Sequence, residues 1–415
     1  MNSLPESGSD GQSSTDPSQK ATLLPRYGRV IWILAGEASG DVIGARLMQA
    51  LHAQDPSLVF AGVGGGRMEA LGLHSLFPMS DLAVMGLVEV LPRLRHLSQR
   101  LLEAVQDIEL RKPDLVVTID SPGFALRLLQ KIERSGIKRV HYVAPQVWAW
   151  RENRVKEFPG LWDRLLCLLP FEPEWFAKRG LEGRFVGHPV LQSGVRQGNA
   201  QRFRLRHNIP ANAPVVILMP GSRRSEAPRL LPVFRKMLDL LRVQYPDICP
   251  VIPVAPVIAP TIRQLIRKWP VQPHIVTDIH DKHDAFAAAQ CALTKSGTST
   301  LELAMGNVPM AVTYRVNPVT ATIARRLIKV PHVAMVNLLA GREVVPELLQ
   351  EDCTPKKLTE MVSKLLSDPQ MVEKQRMAFA DVLEMLAPPV GTPADAAAAE
   401  IMDLLNEPVS RSSSI

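Results

Sequence analysis

Short runs of consecutive apolar residues recur along the chain. Each is followed by a loop rich in glycine, proline or serine and then by a segment with helical spacing. In the first half of the chain the runs lie at 30–34, 58–63, 115–119, 139–143 and 165–169. Runs without alternating polar residues are typical of strands buried on both faces of a parallel sheet. Strands that alternate with helices predict a doubly wound α/β domain over residues 29–192.

The same pattern restarts after residues 193–212, which lack it and are predicted to form a linker. The runs of the second half lie at 215–219, 249–254, 274–276, 291–294 and 310–314. They predict a second α/β domain over residues 213–365, followed by helices over 366–406 that could pack back on the first domain. The polar ends, 1–28 and 407–415, are expected to be disordered tails.

Composition narrows the class of protein. The chain has 415 residues, of which 46% are apolar and 21% charged, an ordinary globular balance. Its net charge of +7 favours anionic partners, but no basic stretch is interleaved with aromatic residues, so nucleic acid is not expected. None of the four cysteines forms a C-x-x-C pair, which argues against a disulfide framework or a zinc site. The polar start and the absence of an apolar run of about 18 residues predict a cytoplasmic protein without a membrane span.

Candidate chemistry in the first half lies at the strand ends. Ligands of open parallel sheets bind beyond the carboxyl ends of the strands, so two facing domains predict a central cleft. Asp120 ends a predicted strand and could act there as a general base, or it could cap the next turn. Glu37 and Asp41, at another strand end, are rival carboxylates. Trp148 and Trp150 would share one face of an extended segment, in packing or in binding.

In the second half, Ser296-Gly297-Thr298 lies between a predicted strand and a predicted helix. The free amides and the dipole of a helix start attract anions. Glu302, about one turn later, could accept hydrogen bonds from a sugar diol. The alternative is ordinary helix capping by these residues.

A second loop, Gly221-Ser222-Arg223, also follows a predicted strand. Glycine permits close approach of the backbone to a ligand, and arginine can bind a phosphate with two parallel hydrogen bonds. The alternative is a turn with solvated arginines. The chain has no Walker loop and no D-x-D triplet, so no metal site is predicted. Arginines and helix ends would then neutralise any diphosphate.

Several short motifs follow one another between about residues 30 and 355. They are Gly36-Glu37-Ala38-Ser39-Gly40-Asp41, Ile119-Asp120-Ser121-Pro122, Val147-Trp148-Ala149-Trp150, Pro170-Phe171-Glu172, Gly187-His188-Pro189, Pro220-Gly221-Ser222-Arg223, Ser296-Gly297-Thr298-Ser299-Thr300-Leu301-Glu302, Asn337-Leu338-Leu339-Ala340-Gly341-Arg342-Glu343 and Pro346-Glu347-Leu348-Leu349-Gln350. In this ordered set the chain resembles the bacterial lipid-A-disaccharide synthase family.

The resemblance implies a GT-B glycosyltransferase, with two Rossmann-like domains facing a central cleft and no cofactor. It implies that UDP-2,3-diacylglucosamine is joined to 2,3-diacylglucosamine 1-phosphate (lipid X) with inversion and release of UDP. By the same resemblance Asp120 is the base. The implied UDP contacts are Gly221, Ser222, Arg223, Ser296, Gly297, Thr298, Glu302, Asn337 and Glu343. The implied acceptor side comprises Glu37, Ser39, Asp41, Trp148 and Trp150.

Acylated substrates imply contact with the cytoplasmic face of the inner membrane. The best candidates for this contact are the apolar residues Val84, Met85, Leu87 and Val88, followed by a leucine stripe through Leu101 with nearby arginines. Such a pattern fits a peripheral helix on anionic lipid, or a domain helix packed on its sheet. A homo-oligomer is possible.

Two other functions remain open from the sequence. One is another UDP-sugar-dependent GT-B enzyme, either a muramyl-type transferase or an epimerase. The other is a catalytically inactive nucleotide- or lipid-binding homologue, because Gly123 stands where members of the resembling family often have a second aspartate.

Overall fold

A computed structural model describes residues 28–82, 87–150, 152–221, 226–317 and 330–408, with only the backbone given for 87–93. Most of the two predicted tails therefore lies outside the described residues. So do Ser222, Arg223, Val84, Met85 and the side chains of Leu87 and Val88.

The described chain contains two parallel sheets of six strands each. The strands of the first sheet are β1 Val30–Ala35, β2 Val59–Val63, β3 Leu115–Ile119, β4 Lys138–Tyr142, β5 Arg164–Cys167 and β6 Gly183–Phe185. Those of the second sheet are β7 Val215–Met219, β8 Cys249–Pro253, β9 His274–Val276, β10 Cys291–Thr294, β11 Met310–Tyr314 and β12 Glu347–Leu349.

Helices connect the strands on both faces of each sheet. In the first half they are α1 Ala38–Gln54, α2 Gly66–Glu69, α3 Leu87–Arg111, α4 Pro122–Lys131, α5 Val147–Trp150 and α6 Glu172–Ala177. In the second half they are α7 Ala200–Arg206, α8 Ala227–Gln244, α9 Ala259–Ile266, α10 Ile279–Ala288, α11 Thr298–Met305, α12 Met335–Ala340, α13 Pro355–Ser367, α14 Pro369–Met385 and α15 Pro393–Asn406.

The strand order shows where each sheet can bind a ligand. The first sheet has the order β2-β1-β3-β4-β5-β6 and the second β12-β11-β10-β7-β8-β9. The direction of winding reverses between β1 and β3 and again between β7 and β10. Crevices open beyond the strand ends at such switch points. Because Ala35 pairs with Ile119 and Met219 pairs with Thr294, the loops that follow these strands are neighbours.

Alternate residues of the central strands fill two apolar layers, as the pleat requires. In β1, Ile31 and Ile33 pack in the layer of α1, while Trp32 and Leu34 pack in the layer of α3 and α4. All four side chains are fully buried. The unalternated apolar runs therefore mark strands covered on both faces.

The last helix, α15, leaves the second domain and packs against α1 of the first. Its alanines and leucines share one apolar cluster with Leu47 and Met48. A capping box starts the helix: Asp395 N donates to Thr392 Oγ1 at 3.2 Å, and Thr392 N donates to Asp395 Oδ2 at 3.0 Å. The preceding helices, α13 and α14, remain with the second domain.

The segment expected to be a linker, residues 193–212, is structured. It contains α7, whose Phe203 is fully buried in the second domain. Arg202 on the same helix pairs with Asp284 of α10 at 2.5 Å. A helix of seven residues carries too few apolar positions to show a clear period, which explains the difference.

The leucine stripe of α3 is divided between the core and the surface. Leu97 and Leu101 pack against the sheet, whereas Leu94 is exposed. Arg100 pairs with Asp81 and Glu103 and is therefore already neutralised. Among the helices within the described residues, none is both long enough and apolar enough to span a bilayer.

Candidate active site

A cleft of about 920 Å³ opens between the carboxyl ends of the two sheets. The first domain contributes Asp120 and Glu172 to its walls, and the second contributes Thr298 and Glu302. Its size is in the range of ordinary small-molecule sites. The fold thus brings together residues far apart in the sequence, such as Asp120 and Glu302, which are 182 positions apart.

Asp120 occupies an unusual backbone position at the end of β3. Asp120 and Ser121 have φ angles of +51° and +47°, and Val143 at the end of the neighbouring β4 has +75°. Each such residue costs about 1–3 kcal/mol and persists only where its surroundings impose it. Here Asp120 N donates to Tyr142 O at 2.9 Å, which ties the two strand ends together. The strain is concentrated at the wall of the cleft.

The environment of Asp120 suits a proton acceptor. Burial raises the pKa of its carboxyl, and a hydrogen bond from the Ser121 amide opposes this rise. A carboxylate with a raised pKa binds a proton more readily at neutral pH. The loop after β1 packs closely against this site, because a Cβ on Gly36 would lie only 2.2 Å from Ser121 Oγ.

The rival carboxylate Asp41 has a structural role. It is 6% exposed, and its oxygens accept from the backbone amides of Gly65 at 2.9 Å and of Arg67 and Met68 at 3.1 Å. These bonds hold the start of α2, so the expectation that Asp41 faces the acceptor is wrong. Ser39 is exposed and lines the cleft, whereas Glu37 precedes α1 and is half-buried.

The two tryptophans do not share a face. Val147–Trp150 forms a helical turn, α5, where residues two apart point in different directions. Trp148 is 8% exposed and donates from Nε1 to Glu172 Oε1 at 3.1 Å. Trp150 is 44% exposed and lines the cleft. Only Trp150 is therefore positioned to contact a ligand.

Glu172 is a site residue that sequence reasoning did not select. It is 2% exposed, and its Oε2 accepts from the amides of Leu168 and Leu169, both at 3.0 Å. Burial raises its pKa to about 7, although these hydrogen bonds and that of Trp148 favour the charged form. The available signal was its place in the Pro170-Phe171-Glu172 motif, directly after β5.

On the second domain, an ion pair joins the two loops at the switch point. Lys295 Nζ lies 2.5 Å from Glu226 Oε1, which connects the segment after β10 with the segment after β7. Gly221 has a φ of +111°, and a Cβ there would lie 2.2 Å from Glu226 Oε2. Glycine is therefore required where this loop leaves β7.

The segment Ser296-Gly297-Thr298 leads into α11 as expected. Gly297 is the N-cap, so no side chain caps the first turn, and Thr298 is exposed to the cleft. Glu302 lies one turn later and also lines the cleft. Lys282 Nζ contacts both of its oxygens, at 3.0 and 3.1 Å. Any diol bound by Glu302 would share this carboxylate with Lys282.

The predicted contact of Asn337 with UDP is wrong. Asn337 is fully buried, and its Nδ2 donates to Val345 O and Glu347 Oε1, each at 2.8 Å. Its Oδ1 accepts from the amides of Val344 at 2.7 Å and Val345 at 2.8 Å. These four hydrogen bonds hold the turn after α12 and use the donors and acceptors of the amide, so none remains for a ligand. Glu343, in the same turn, is exposed and does not line the cleft.

Basic residues of the cleft were also missed. Arg46, Arg67 and His188 line it from the first domain, and His280 and His283 from the second. Burial lowers the pKa of His188 to about 4, and its Nδ1 accepts from Val190 N at 3.1 Å. Its neutral ring therefore carries the proton on Nε2. Arg46 and Arg67 belong to no recognisable sequence motif, so their position at the cleft becomes visible only in the structure.

Comparison with known proteins points to one family. The family model described as lipid-A-disaccharide synthetase matches residues 31–401. The lipid-A-disaccharide synthase of Gluconobacter oxydans (strain 621H) is 96% identical over 413 residues, with 100% of each chain covered.

Two solved structures resemble the fold. The S. aureus MnaA–UDP co-structure has a TM-score of 0.61 at 14% identity and covers 92% of this chain and 98% of its own. The glycotransferase of kitacinnamycin has a TM-score of 0.61 at 17% identity and covers 92% and 100%. At these identities the likeness concerns the fold alone. The predicted GT-B architecture of two Rossmann-like domains is confirmed.

Proposed function

The chain belongs to the lipid-A-disaccharide synthase family, and from this premise we propose how its cleft performs the reaction. The protein is a glycosyltransferase of lipid A biosynthesis, which decides against the muramyl-type transferase and the epimerase. The proposed donor is UDP-2,3-diacylglucosamine and the proposed acceptor is lipid X. The products are then the disaccharide 1-phosphate and UDP.

The proposed base is Asp120. It takes the proton from the 6-hydroxyl of the acceptor while that oxygen attacks the anomeric carbon of the donor. The bond from this carbon to the diphosphate breaks, UDP carries away the electron pair, and the configuration inverts. The observation that carries this assignment is a cleft-lining carboxylate at a switch point, held by strained backbone, with its pKa raised by burial.

The proposed donor site lies on the second domain, at the segments after β7 and β10. Charge that develops on the leaving diphosphate would be stabilised by the uncapped first turn of α11. Glu302, also on α11, would accept hydrogen bonds from the sugar hydroxyls of the donor. The contribution of Ser222 and Arg223 stays a prediction, because both lie outside the described residues.

Replacement of the proposed base tests the mechanism. Asp120→Asn keeps the shape and removes the proton acceptor, so we expect kcat to fall by about 10²–10⁴-fold, or roughly 3–5 kcal/mol of barrier. The KM for the donor should change little. The assay is UDP release with both substrates present, and each substrate alone is the blank. Asp247→Asn, at an exposed carboxylate that does not line the cleft, is the matched control.

Two outcomes would contradict the proposal. If Asp120→Asn retains more than half of the turnover, the base lies elsewhere. If the unaltered protein releases no UDP with both substrates, the chain is an inactive homologue, as the glycine at position 123 would allow.

We also propose that the protein binds the cytoplasmic face of the inner membrane peripherally. Leu87 and Val88 begin α3, and Val84 and Met85 precede them in the sequence with only Gly86 between. The exposed Leu94 continues the apolar stripe. Replacing those first four residues with serine should reduce co-sedimentation with anionic vesicles while the protein stays folded. Unchanged binding would exclude this segment as the membrane contact. Unfolding would place the four residues in the core.

A further inference from the structure

Two arginines share one wall of the cleft in the first domain. Arg46 projects from α1 and Arg67 from α2, and both line the cleft. Both residues therefore face the same cavity. In agreement with this placement, burial and the charge of Arg67 lower the pKa of Arg46. Two like charges held together in this way favour an anion between them.

The guanidinium of Arg46 is fixed by backbone carbonyls. Nη1 donates to Pro189 O at 3.1 Å and Nη2 donates to Gln192 O at 2.6 Å. An arginine has five N–H donors, so three remain for a ligand. The carbonyls do not cancel the positive charge, because they carry only dipoles.

The backbone of Arg67 is equally fixed. Its amide donates to Asp41 Oδ2 at 3.1 Å, and the same carboxylate holds the rest of the first turn of α2. The side chain of Arg67 is exposed to the cleft. Asp41 therefore holds the backbone of Arg67 through its amide, and the guanidinium group remains able to bind an anion in the cleft.

We propose that Arg67 and Arg46 form a subsite for the phosphate monoester of the acceptor sugar. This subsite rests on the proposed function and adds to it a position for the 1-phosphate. Arg67 follows β2 and Asp120 follows β3, with β1 between them. At about 4.8 Å per strand, the two loops are separated by about 10 Å, a span comparable to one hexose with its substituents. A sugar whose 6-hydroxyl meets Asp120 would thus extend its 1-phosphate towards Arg67.

The donor offers a second source of phosphate, and the test separates the two. Lipid X is compared with the same diacylglucosamine lacking the 1-phosphate. Removing the phosphate should lower kcat/KM of the unaltered protein by about 10–100-fold, the range for hydrogen bonds to charged groups. Arg67→Gln should lower kcat/KM by a similar factor with lipid X and leave it unchanged with the dephosphorylated acceptor. The KM for the donor should not change.

Further variants guard the interpretation. Arg134→Gln, at an exposed arginine outside the cleft, should behave as the unaltered protein with both acceptors. Arg67→Lys, which keeps the charge without the forked donors, should lose less than Arg67→Gln and provides the same comparison if glutamine disturbs folding. An equal loss with both acceptors, or a raised KM for the donor, would overturn the subsite. Failure of the unaltered protein to release UDP would instead overturn the proposed function itself.

Discussion

Replacing Glu172 by glutamine probes the hydrogen bond between Glu172, which follows β5, and Trp148 of α5. The carboxylate accepts three hydrogen bonds, from two backbone amides and from Trp148 Nε1. Glutamine has the same shape but only one oxygen, so its NH₂ group must face at least one of these donors. A buried donor left without an acceptor costs about 1–3 kcal/mol. If the oxygen stays with the two amides, the indole N–H of Trp148 is the group that loses its partner.

The titration of Glu172 also makes the free energy of unfolding depend on pH. Burial raises its pKa from 4.5 to about 7. Between these values the folded protein keeps the proton and the unfolded chain has lost it, so the free energy of unfolding falls as the pH rises. The difference of about 2.5 units corresponds to about 3 kcal/mol at 1.36 kcal/mol per unit. Glu172→Gln lacks this titration, so the free energy of unfolding of the unaltered protein minus that of the variant should fall by about 3 kcal/mol from pH 4.5 to 7.5. This fall is large enough to cancel or reverse the cost of about 1–3 kcal/mol of the lost hydrogen bond.

The measurement is urea unfolding followed by tryptophan fluorescence at a series of pH values. Glu174→Gln, two residues along the same helix and 74% exposed, serves as the control and should change stability by less than about 0.5 kcal/mol. If the difference in the free energy of unfolding between Glu172→Gln and the unaltered protein is the same at every pH, Glu172 does not titrate in this range. The reasoning from its burial would then fail.

The remaining predictions concern the loop that carries Asp120, the proposed base, and the diphosphate of the proposed donor. Gly36→Ala would place a Cβ 2.2 Å from Ser121 Oγ and displace the Asp120 loop, so kcat should fall at least about tenfold while circular dichroism stays unchanged. Full activity in this variant would show that the two loops can separate freely. UDP release should survive strong chelation by EDTA, because the chain has no D-x-D triplet of the kind that holds a divalent ion. Loss of activity that Mg²⁺ restores would contradict metal independence.

The fold and the location of the cleft could be predicted because both depend on local pattern. Unalternated apolar runs give the strands, and the carboxyl ends of parallel strands meet at one edge. That reasoning brought Asp120, Ser39 and Thr298 to the cleft without any knowledge of long-range contacts. It also predicted two tandem α/β domains. The GT-B class was implied by the family resemblance, and the structural neighbours confirm it.

The roles of individual polar side chains were harder to predict, because they depend on which backbone groups come near. Asp41 and Asn337 both stand in motifs, yet their side chains are engaged within the protein. Backbone amides donate to the oxygens of both residues, and the Asn337 NH₂ group donates to Val345 O and to the Glu347 carboxylate. Glu172 is buried partly by Trp148, which lies 24 residues away. Spacing along the chain does not distinguish a carboxylate that faces a ligand from one that faces an amide.

The return of α15 to the first domain determines the order in which the protein can fold. The apolar cluster beneath β1 is completed by side chains between Ala394 and Leu405, which the ribosome makes after every strand of both sheets. The first domain therefore leaves the ribosome with part of its core exposed to water. The helices α13 and α14 of the second domain precede α15 in the sequence. The second domain can therefore complete its fold while the first domain still lacks α15. Synthesis from the N-terminus thus completes the second half of the molecule before the first.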